Sequence, residues 1–171
     1  MMRMRMPRSG VLFAALFAAS LGACSDGGGP YRPAADLAML KVRDADCPGC
    51  KALSLPGATD PDFKLHVYRG PVIAAAEIEE VSMTVDGRTG QCAYVMRFAP
   101  EARRRIAART AELAGQRAAW VLGDEVLVVA ILQEPVDTAM MVSMGDDRDR
   151  CRSTFARITV PTSGSSDRSA H

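Results

Sequence analysis

The amino-terminal segment constrains the fold most, because it sets which part of the chain folds and in which compartment. Three arginines lie within the first eight residues, and a short apolar run from Val11 to Leu21 follows them. This is the layout of a secretory leader. The run is shorter than the ~20 apolar residues that a membrane-spanning helix needs. Residues 1–23 are therefore predicted to be a signal peptide that takes no part in the fold.

The leader ends in Leu21-Gly22-Ala23-Cys24, which matches a bacterial lipobox. Small residues before the cut fit the peptidase, and the thiol of Cys24 then receives diacylglycerol. The alternative is an ordinary secretory signal cut after Ala23, which leaves Cys24 unmodified. The lipobox predicts a lipoprotein, with palmitate among the acyl chains that hold it to membrane lipid through Cys24. Residues 24–33 are rich in Gly and Pro and are predicted to be a flexible tether.

Location and charge narrow the classes of partner. Ser25, where an inner-membrane retention signal would place Asp, favours anchoring in the outer membrane over the inner one, facing the periplasm. The leader holds three of the 21 basic residues and none of the 20 acidic ones, so the mature chain is slightly acidic. A nucleic-acid partner is therefore not expected, since such proteins carry clustered positive charge.

Four cysteines remain after Cys24, namely Cys47, Cys50, Cys92 and Cys151. An oxidising envelope favours two disulfides, and four cysteines allow three connectivities that the sequence does not separate. A Cys92–Cys151 bond would close a long loop, whereas Cys47 and Cys50 can pair with each other or with that distant pair.

The motif Cys47-Pro48-Gly49-Cys50 has three interpretations: a structural disulfide, a redox dithiol or a metal site. The strand and helix that flank a thioredoxin-like site are missing from the surrounding sequence. The structural disulfide is therefore favoured.

The mature chain is long enough for one domain with a real core. Residues 34–62 are predicted to be an irregular, cysteine-containing arm. Asp36 to Val42 can form a short helix or a strand, and Asp44 to Pro61 is crowded with Pro, Gly, Asp and Cys. Residues 63–160 are predicted to be the folded domain, and residues 161–171 a Ser-rich disordered tail.

Regular patterns begin at Phe63. Alternating apolar residues predict a strand from Phe63 to Tyr68, and the runs from Val81 to Asp86 and from Cys92 to Phe98 predict a hairpin across a Gly-containing turn. Pro100 opens a predicted helix that reaches Leu113. Continuous apolar runs, typical of strands at the centre of a sheet, span Ala118 to Leu122 and Val126 to Leu132.

The last segments complete the predicted fold. Thr138 to Met144 is a further β-like run, and Asp146 or Asp147 can cap a helix with an inward face. That face is formed by Cys151, Phe155 and Ile158. Strands and helices in this order predict an α+β fold, with helices packed on one face of a mainly antiparallel sheet.

The sequence offers little evidence of a catalytic group. His66 is the only histidine outside the tail, it lies within a predicted strand, and no nucleophile sits on a recognisable elbow. The acids Glu77, Glu79 and Glu80 are interpreted as complementing a helix dipole, and Arg103 to Arg105 as a solvated surface. Trp120 and five methionines are interpreted as core residues: Met83, Met96, Met140, Met141 and Met144. No enzyme activity, cofactor or metal is expected.

The segment from Pro71 to Val136 resembles the periplasmic head subdomain of SecD, a subunit of the bacterial Sec protein-export machinery. The likeness begins with a Pro-Val-aliphatic entry at Pro71 and an Ala-x-Glu-Ile step at Ala76. Two strands follow, then a helix closing on Thr110 and Gly115 and a Gln-Glu-Pro-Val exit ending at Val136. The resemblance implies a SecD-head-like fold.

SecD proteins cross the membrane repeatedly and use embedded acids to couple proton flow to head movement, and this chain has no predicted span after its leader. The resemblance therefore implies the role of the head without the motor. We expect a lipid-anchored module that contacts unfolded or translocating polypeptides, or Sec components, in envelope export or quality control. The alternatives are a periplasmic thiol-disulfide redox protein using Cys47 and Cys50, and a purely structural envelope lipoprotein.

Overall fold

The computed structural model describes residues 31–60 and 62–162, which form ten β-strands, two α-helices and one 3₁₀ turn. The strands are β1 Tyr31–Pro33, β2 Leu37–Arg43, β3 Cys50–Ser54, β4 Lys64–Ala74, β5 Ile78–Val85, β6 Cys92–Phe98, β7 Arg117–Leu122, β8 Glu125–Ile131, β9 Ala139–Gly145 and β10 Thr159–Pro161. The helices are α1 Arg103–Ala111 and α2 Arg148–Ile158, and the 3₁₀ turn is Ala75–Glu77. The predicted signal peptide and Cys24 lie outside the described residues.

The strands are divided between two antiparallel sheets of five strands each. Sheet A has the order β10-β1-β5-β6-β9, and sheet B has the order β3-β4-β2-β7-β8. The chain passes from sheet B to sheet A at the 3₁₀ turn between β4 and β5. The predicted α+β class with mainly antiparallel strands is therefore confirmed, and the structure adds the division into two sheets.

Sheet B curls around a small core of its own. Eight buried side chains from all five strands pack on its inner face: Leu40, Val42, Leu53, Leu65, Val67, Ala119, Val121 and Val126. The two ends of the sheet approach each other, since Lys51 Nζ in β3 lies 2.7 Å from Asp124 Oδ1 in the turn before β8. The hydrogen bond from Lys51 lowers the pKa of the Asp124 carboxyl.

The larger core lies between the outer face of sheet B and the facing side of sheet A. Alternate residues of β6, including Tyr94 and Phe98, are buried there, as the period of two predicts. Met39 of β2 and Trp120 of β7 meet them from sheet B, which confirms Trp120 as a core residue. Each such large apolar side chain contributes roughly 1.5–3 kcal/mol by leaving water.

Both helices complete this core. Ile106 of α1 and Cys151 and Ile158 of α2 are almost fully buried within it. The helix α2 begins at its predicted cap, because Asp147 Oδ1 accepts a hydrogen bond of 2.9 Å from the backbone N–H of Arg150. The inward face predicted for the last helix is therefore confirmed.

Aromatic contacts and a hydrogen bond hold α2 against sheet A. The ring of Phe155 lies 5.2 Å from the ring of Tyr31 and 5.7 Å from that of Tyr94, measured between centroids. The Tyr94 hydroxyl donates a hydrogen bond of 2.6 Å to the backbone oxygen of Cys151. Burial raises the pKa of Tyr94 to about 12, so the hydroxyl stays protonated and remains a donor at neutral pH.

The predicted hairpin is present between β5 and β6. Asp86 Oδ1 accepts hydrogen bonds from the backbone N–H groups of Arg88, at 2.8 Å, and Thr89, at 3.2 Å. These bonds lower the pKa of the Asp86 carboxyl. Gly90 takes a positive φ of 72°, which a residue without Cβ adopts readily. Local turn chemistry is sufficient to place this element.

Two segments predicted to be irregular contain strands. Tyr31–Pro33, assigned to the tether, is β1 and pairs with β10 and β5; β10 also includes Pro161, assigned to the tail. The predicted arm, residues 34–62, contains β3 and also β2, the middle strand of sheet B. The strand β1 is only three residues long, and β2 is buried on both faces. Neither strand therefore shows the alternation that marks a half-buried strand.

Two boundaries and one position also differ from the predictions. The helix α1 begins at Arg103 rather than Pro100, and β4 runs on to Ala74 instead of ending at Tyr68. The strand β7 lies inside sheet B, but β8 is its edge, although the sequence predicted a central strand. The apolar run of β8 arises because its inner side chains enter the small core while the others line a groove.

Candidate functional site: an apolar groove between two strand edges

The open edges of the two sheets face each other across a groove. The strand β8 ends sheet B and β9 ends sheet A, and residues 132–138 join them. The groove has a volume of about 470 Å³ and is lined by both strands and by the connecting segment. A cavity of this size is in the range of ligand-binding clefts.

The lining of the groove is almost entirely apolar. Met39, Trp120 and Val142 form its buried floor, continuous with the larger core. Glu134 is the one charged residue among those that line it. The groove therefore suits an apolar ligand better than a highly charged one.

Two exposed apolar side chains flank the groove. Ile131 at the end of β8 is 54% exposed, and Met141 in β9 is 56% exposed. These are the two highest values among the large apolar residues that the structure describes. Clustered exposure of this kind marks interaction surfaces. The prediction that Met141 fills the core is therefore wrong. The side chain of Met83 is also exposed, at 38%, whereas that of Met96 is buried as predicted.

Each flanking strand leaves hydrogen-bonding groups of its backbone free at the edge. The N–H of Phe98 donates to the oxygen of Thr138 at 2.9 Å, so the alternation of an antiparallel ladder directs the backbone groups of Ala139 and Met141 away from β6. On the other side, the N–H of Leu132 donates to the oxygen of Gln116 at 3.0 Å, which leaves Ile131 facing outward. Within residues 31–60 and 62–162, no strand pairs with either outer edge.

A buried threonine fixes the closed end of the groove. The Thr110 hydroxyl donates to the oxygen of Ile106 at 2.8 Å and accepts a bond of 3.1 Å from the N–H of Val136. The N–H of Gly115 donates to the oxygen of Leu132 at 2.8 Å. These bonds tie the segment that joins β8 and β9 to α1 and to the turn that follows it, so the two edges are held by the core.

The clustered acids and arginines serve the fold. Glu77 forms an ion pair with Arg109, and its Oε2 accepts a bond of 3.1 Å from the N–H of Ala74. The second arginine near it, Arg105, has a guanidinium nitrogen 3.7 Å from Glu77 Oε1. Glu77 ends the 3₁₀ turn rather than starting an α-helix, so its predicted role toward a helix dipole is replaced by these contacts.

The four cysteines pair as two bridges, Cys47–Cys50 and Cys92–Cys151. The first joins residues three positions apart and lies on a partly exposed turn. The second joins residues 59 positions apart and is buried, with Cys92 5% and Cys151 1% exposed. It fastens α2 to β6, beside the bond from Tyr94.

His66 does not assemble a catalytic group. Its Nδ1 is buried without a hydrogen-bond partner and lies 3.6 Å from Asp46 Oδ1, which is too far for a hydrogen bond. Within the described part of the chain, no three His, Cys, Asp or Glu side chains are placed to hold a metal ion. No helix of that part is both long and apolar enough to cross a membrane.

Comparison with known families accounts for this architecture. The model of the family described as "SecDF, P1 head subdomain" matches residues 53–156. The chain belongs to the SecDF P1 head family. The match contains the resemblance predicted between Pro71 and Val136, and extends it through Cys151 to most of α2. Membership relates this SecDF P1 head domain to protein export. Cys47 and Cys50 precede the matched range.

Two solved structures share the fold of this SecDF P1 head domain. One is described as "Structure and function of a membrane component SecDF that enhances protein export", with a TM-score of 0.50 and 14% identity over 71% of this chain and 60% of that chain. The other, "Crystal structure of SecDF in Super-membrane-facing form", gives 0.51 and 14% over 70% of this chain and 18% of that chain. This chain therefore spans three-fifths or less of those proteins. No curated protein matches.

Sequence reasoning did not find the groove. Its edges come from β8 and β9, which are runs of apolar residues without a motif, and an apolar run does not show whether a partner strand covers it. The one local signal was the Gln-Glu-Pro-Val exit ending at Val136, which proves to be the segment that joins the two edges.

Proposed function

We propose that this SecDF P1 head domain is a lipid-anchored, non-catalytic binding module that holds extended polypeptides in the periplasm during envelope protein export or quality control. The observation that carries the proposal is the groove in which two unpaired strand edges, β8 and β9, flank an apolar floor. An extended chain can add to such an edge through its backbone and place alternate side chains in the groove.

The chemistry of the groove fits polypeptides of varied sequence. Backbone hydrogen bonds do not depend on side-chain identity, and the apolar floor formed by Met39, Trp120 and Val142 adds affinity for apolar side chains. A folded protein hides both features, because its strands are paired and its apolar residues are buried. The site therefore selects unfolded or emerging chains.

The proposed anchor would keep the site close to the membrane. Seven residues lead from Cys24 to Tyr31, the first residue of β1. Fully extended, they reach about 25 Å at most. We infer that the diacylglycerol on Cys24 confines the domain to the layer next to the lipid surface, and that Ser25 directs it to the outer membrane.

A peptide-binding experiment tests the proposed site. The probe is a fluorescent peptide of about ten residues with alternating Val and Thr, compared with one carrying Pro at every second position, which removes the N–H donors that strand addition uses. Binding of the first peptide and not of the second supports strand addition. Equal binding, or none, by both peptides would contradict it.

Matched variants locate the binding. Ile131→Lys and Met141→Lys each place a charge beside the apolar floor. Each is expected to lower the affinity for the peptide by about tenfold or more. Val85→Lys is the control, because Val85 is similarly exposed, at 51%, but lies at the hairpin end of β5. An equal loss in all three variants would show binding that does not involve the groove.

The anchor has its own test. Cys24→Ser is expected to move the protein from the membrane fraction to the soluble periplasmic fraction, and density separation of the two membranes shows which one holds the unchanged chain. Retention of Cys24→Ser in the membrane fraction would contradict lipid attachment.

A further inference from the structure

The two disulfides occupy different surroundings, and only one of them lies within the residues that the family model matches. Cys92–Cys151 lies inside the matched range, is buried and fastens α2. Cys47–Cys50 lies before that range, on a partly exposed turn, and closes a loop of only four residues. So short a loop removes little freedom from the unfolded chain. Stability therefore accounts for this bridge less well than for Cys92–Cys151.

The turn holds both sulfurs in a defined, accessible place. The N–H of Cys50 donates to the oxygen of Cys47 at 2.9 Å, and the N–H of Cys47 donates to Asp46 Oδ1 at 2.8 Å. Gly49 adopts a positive φ of 81°, and its oxygen accepts a bond of 3.3 Å from the N–H of Arg69. The bridge is thus fixed to β4 and remains open to a thiol from solution.

Two cations lie near Tyr68, the residue opposite Cys50 in the sheet. Cys50 is directly opposite Tyr68 in the ladder, and directly opposed residues project on the same face. Lys41 Nζ and the guanidinium carbon of Arg43 each lie 5.9 Å from the centroid of the Tyr68 ring. Cations near a cysteine stabilise its thiolate.

Acidic groups also lie nearby, and Glu112 lines the same small pocket as Lys41 and Tyr68. Asp44 forms an ion pair with Arg117, and Asp46 lies beside His66 and bonds to the Cys47 N–H. Within the described residues, Lys41 and Arg43 form no ion pair with a carboxylate. The strand β3 follows the motif where a thioredoxin-like site has a helix, so no helix dipole acts on these cysteines and Lys41 and Arg43 are the cations to test.

We propose that Cys47–Cys50 is a reversible thiol–disulfide exchange site that accepts electrons from a reduced dithiol. A thiolate of the dithiol attacks one sulfur of the bridge, forming a mixed disulfide and releasing the other cysteine as a thiolate. The second thiolate of the dithiol attacks the mixed disulfide and frees the remaining cysteine. Two electrons pass to Cys47 and Cys50, which take up two protons, and the dithiol loses two protons and becomes a disulfide.

This site is independent of the groove. Peptide binding at β8 and β9 does not use Cys47 or Cys50, and exchange at the turn does not use the strand edges. The two proposals therefore succeed or fail separately.

Differential alkylation tests the exchange site. The folded mature protein is equilibrated near neutral pH with graded ratios of reduced to oxidised dithiothreitol, and in a second series with glutathione; free thiols are then trapped and located by mass spectrometry. We expect Cys47 and Cys50 to be labelled at ratios that leave Cys92 and Cys151 paired. The same result is expected with glutathione, although structural disulfides resist reduction by glutathione. Co-reduction of both bridges, or resistance of Cys47–Cys50 to glutathione, would overturn the proposal.

Charge variants test the role of the cations. In the double variant Lys41→Gln/Arg43→Gln, the rate of reduction of Cys47–Cys50 is expected to fall roughly threefold, because a leaving thiol of higher pKa departs more slowly. Lys64→Gln is the control, since Lys64 lies further along β4 and bonds to the Ser54 hydroxyl at 3.0 Å. An unchanged rate in the double variant would exclude activation by these cations.

Discussion

The larger core is covered differently in two places. Where α2 meets sheet A, the surface is closed by the Cys92–Cys151 bridge, the Tyr94 hydrogen bond and the ring of Phe155. Between β8 and β9 the core is left open, with free backbone edges and exposed apolar side chains. A sheet edge that is open to partners is also open to aggregation. The comparison suggests that the closed part supplies the stability that the open part forgoes.

The largest loss of stability is expected when the bridge between α2 and β6 is removed. Cys92→Ser/Cys151→Ser removes a bridge between residues 59 positions apart, and should lower the free energy of unfolding by about 4 kcal/mol. Urea denaturation measures this loss. The matched double variant Cys47→Ser/Cys50→Ser, which opens a loop of only four residues, should lose less than half as much. Equal losses would contradict the division of roles between the two bridges.

A second effect depends on pH. The pKa of Tyr94 is raised from 10.0 to about 12 in the fold, so its contribution is complete below pH 10 and is lost as the pH rises to 12. The loss amounts to roughly 2–3 kcal/mol, since one pKa unit is worth 1.36 kcal/mol. Urea midpoints measured across this range should fall in the unchanged chain. The fall should be smaller in Tyr94→Phe; an identical fall would assign it to other groups.

A third prediction concerns the hydrogen bond that ties the segment between β8 and β9 to α1. Thr110→Val keeps the shape of the side chain but leaves the partly buried N–H of Val136 without its partner, at a cost of about 1–2 kcal/mol. Because Val136 lies in the segment that joins β8 and β9, peptide affinity should fall as well. Thr110→Ser, which keeps the hydroxyl, is the control. Loss of stability without loss of affinity would show that the groove does not depend on this anchor.

The smallest effect on stability is expected at the groove edge. Ile131→Lys replaces a side chain that is already 54% exposed, so its free energy of unfolding should change by no more than about 0.5 kcal/mol. Thermal denaturation checks this value. A large loss would show that Ile131 belongs to the core, and would remove it from the proposed site.

Elements with local signals were predictable. The β5–β6 hairpin follows from a turn in which Asp86 bonds to the next backbone N–H groups, and α2 follows from its Asp147 cap and the spacing of Cys151 and Ile158. Each of these interactions joins residues that are close in sequence. A local pattern is then enough to identify the element.

Elements whose partners are distant were missed or misplaced. The strand β1 exists because Tyr31 pairs with Pro161 and its ring packs on Phe155. For β2 the sequence did not distinguish a short helix from a strand, because side chains on both of its faces are buried. No feature of residues 31–43 encodes either neighbour.

The sequence by itself determined the family and the α+β class, and its motif at Cys24 predicts lipid attachment. Patterns of a few residues carry these properties, whatever their tertiary surroundings. Only the tertiary structure decided which strands are edges, because an apolar run such as β8 reads the same whether one neighbour or two cover it. The groove and the cations over the Tyr68 ring are therefore properties of the assembled sheets, since both bring together side chains that are far apart in the chain.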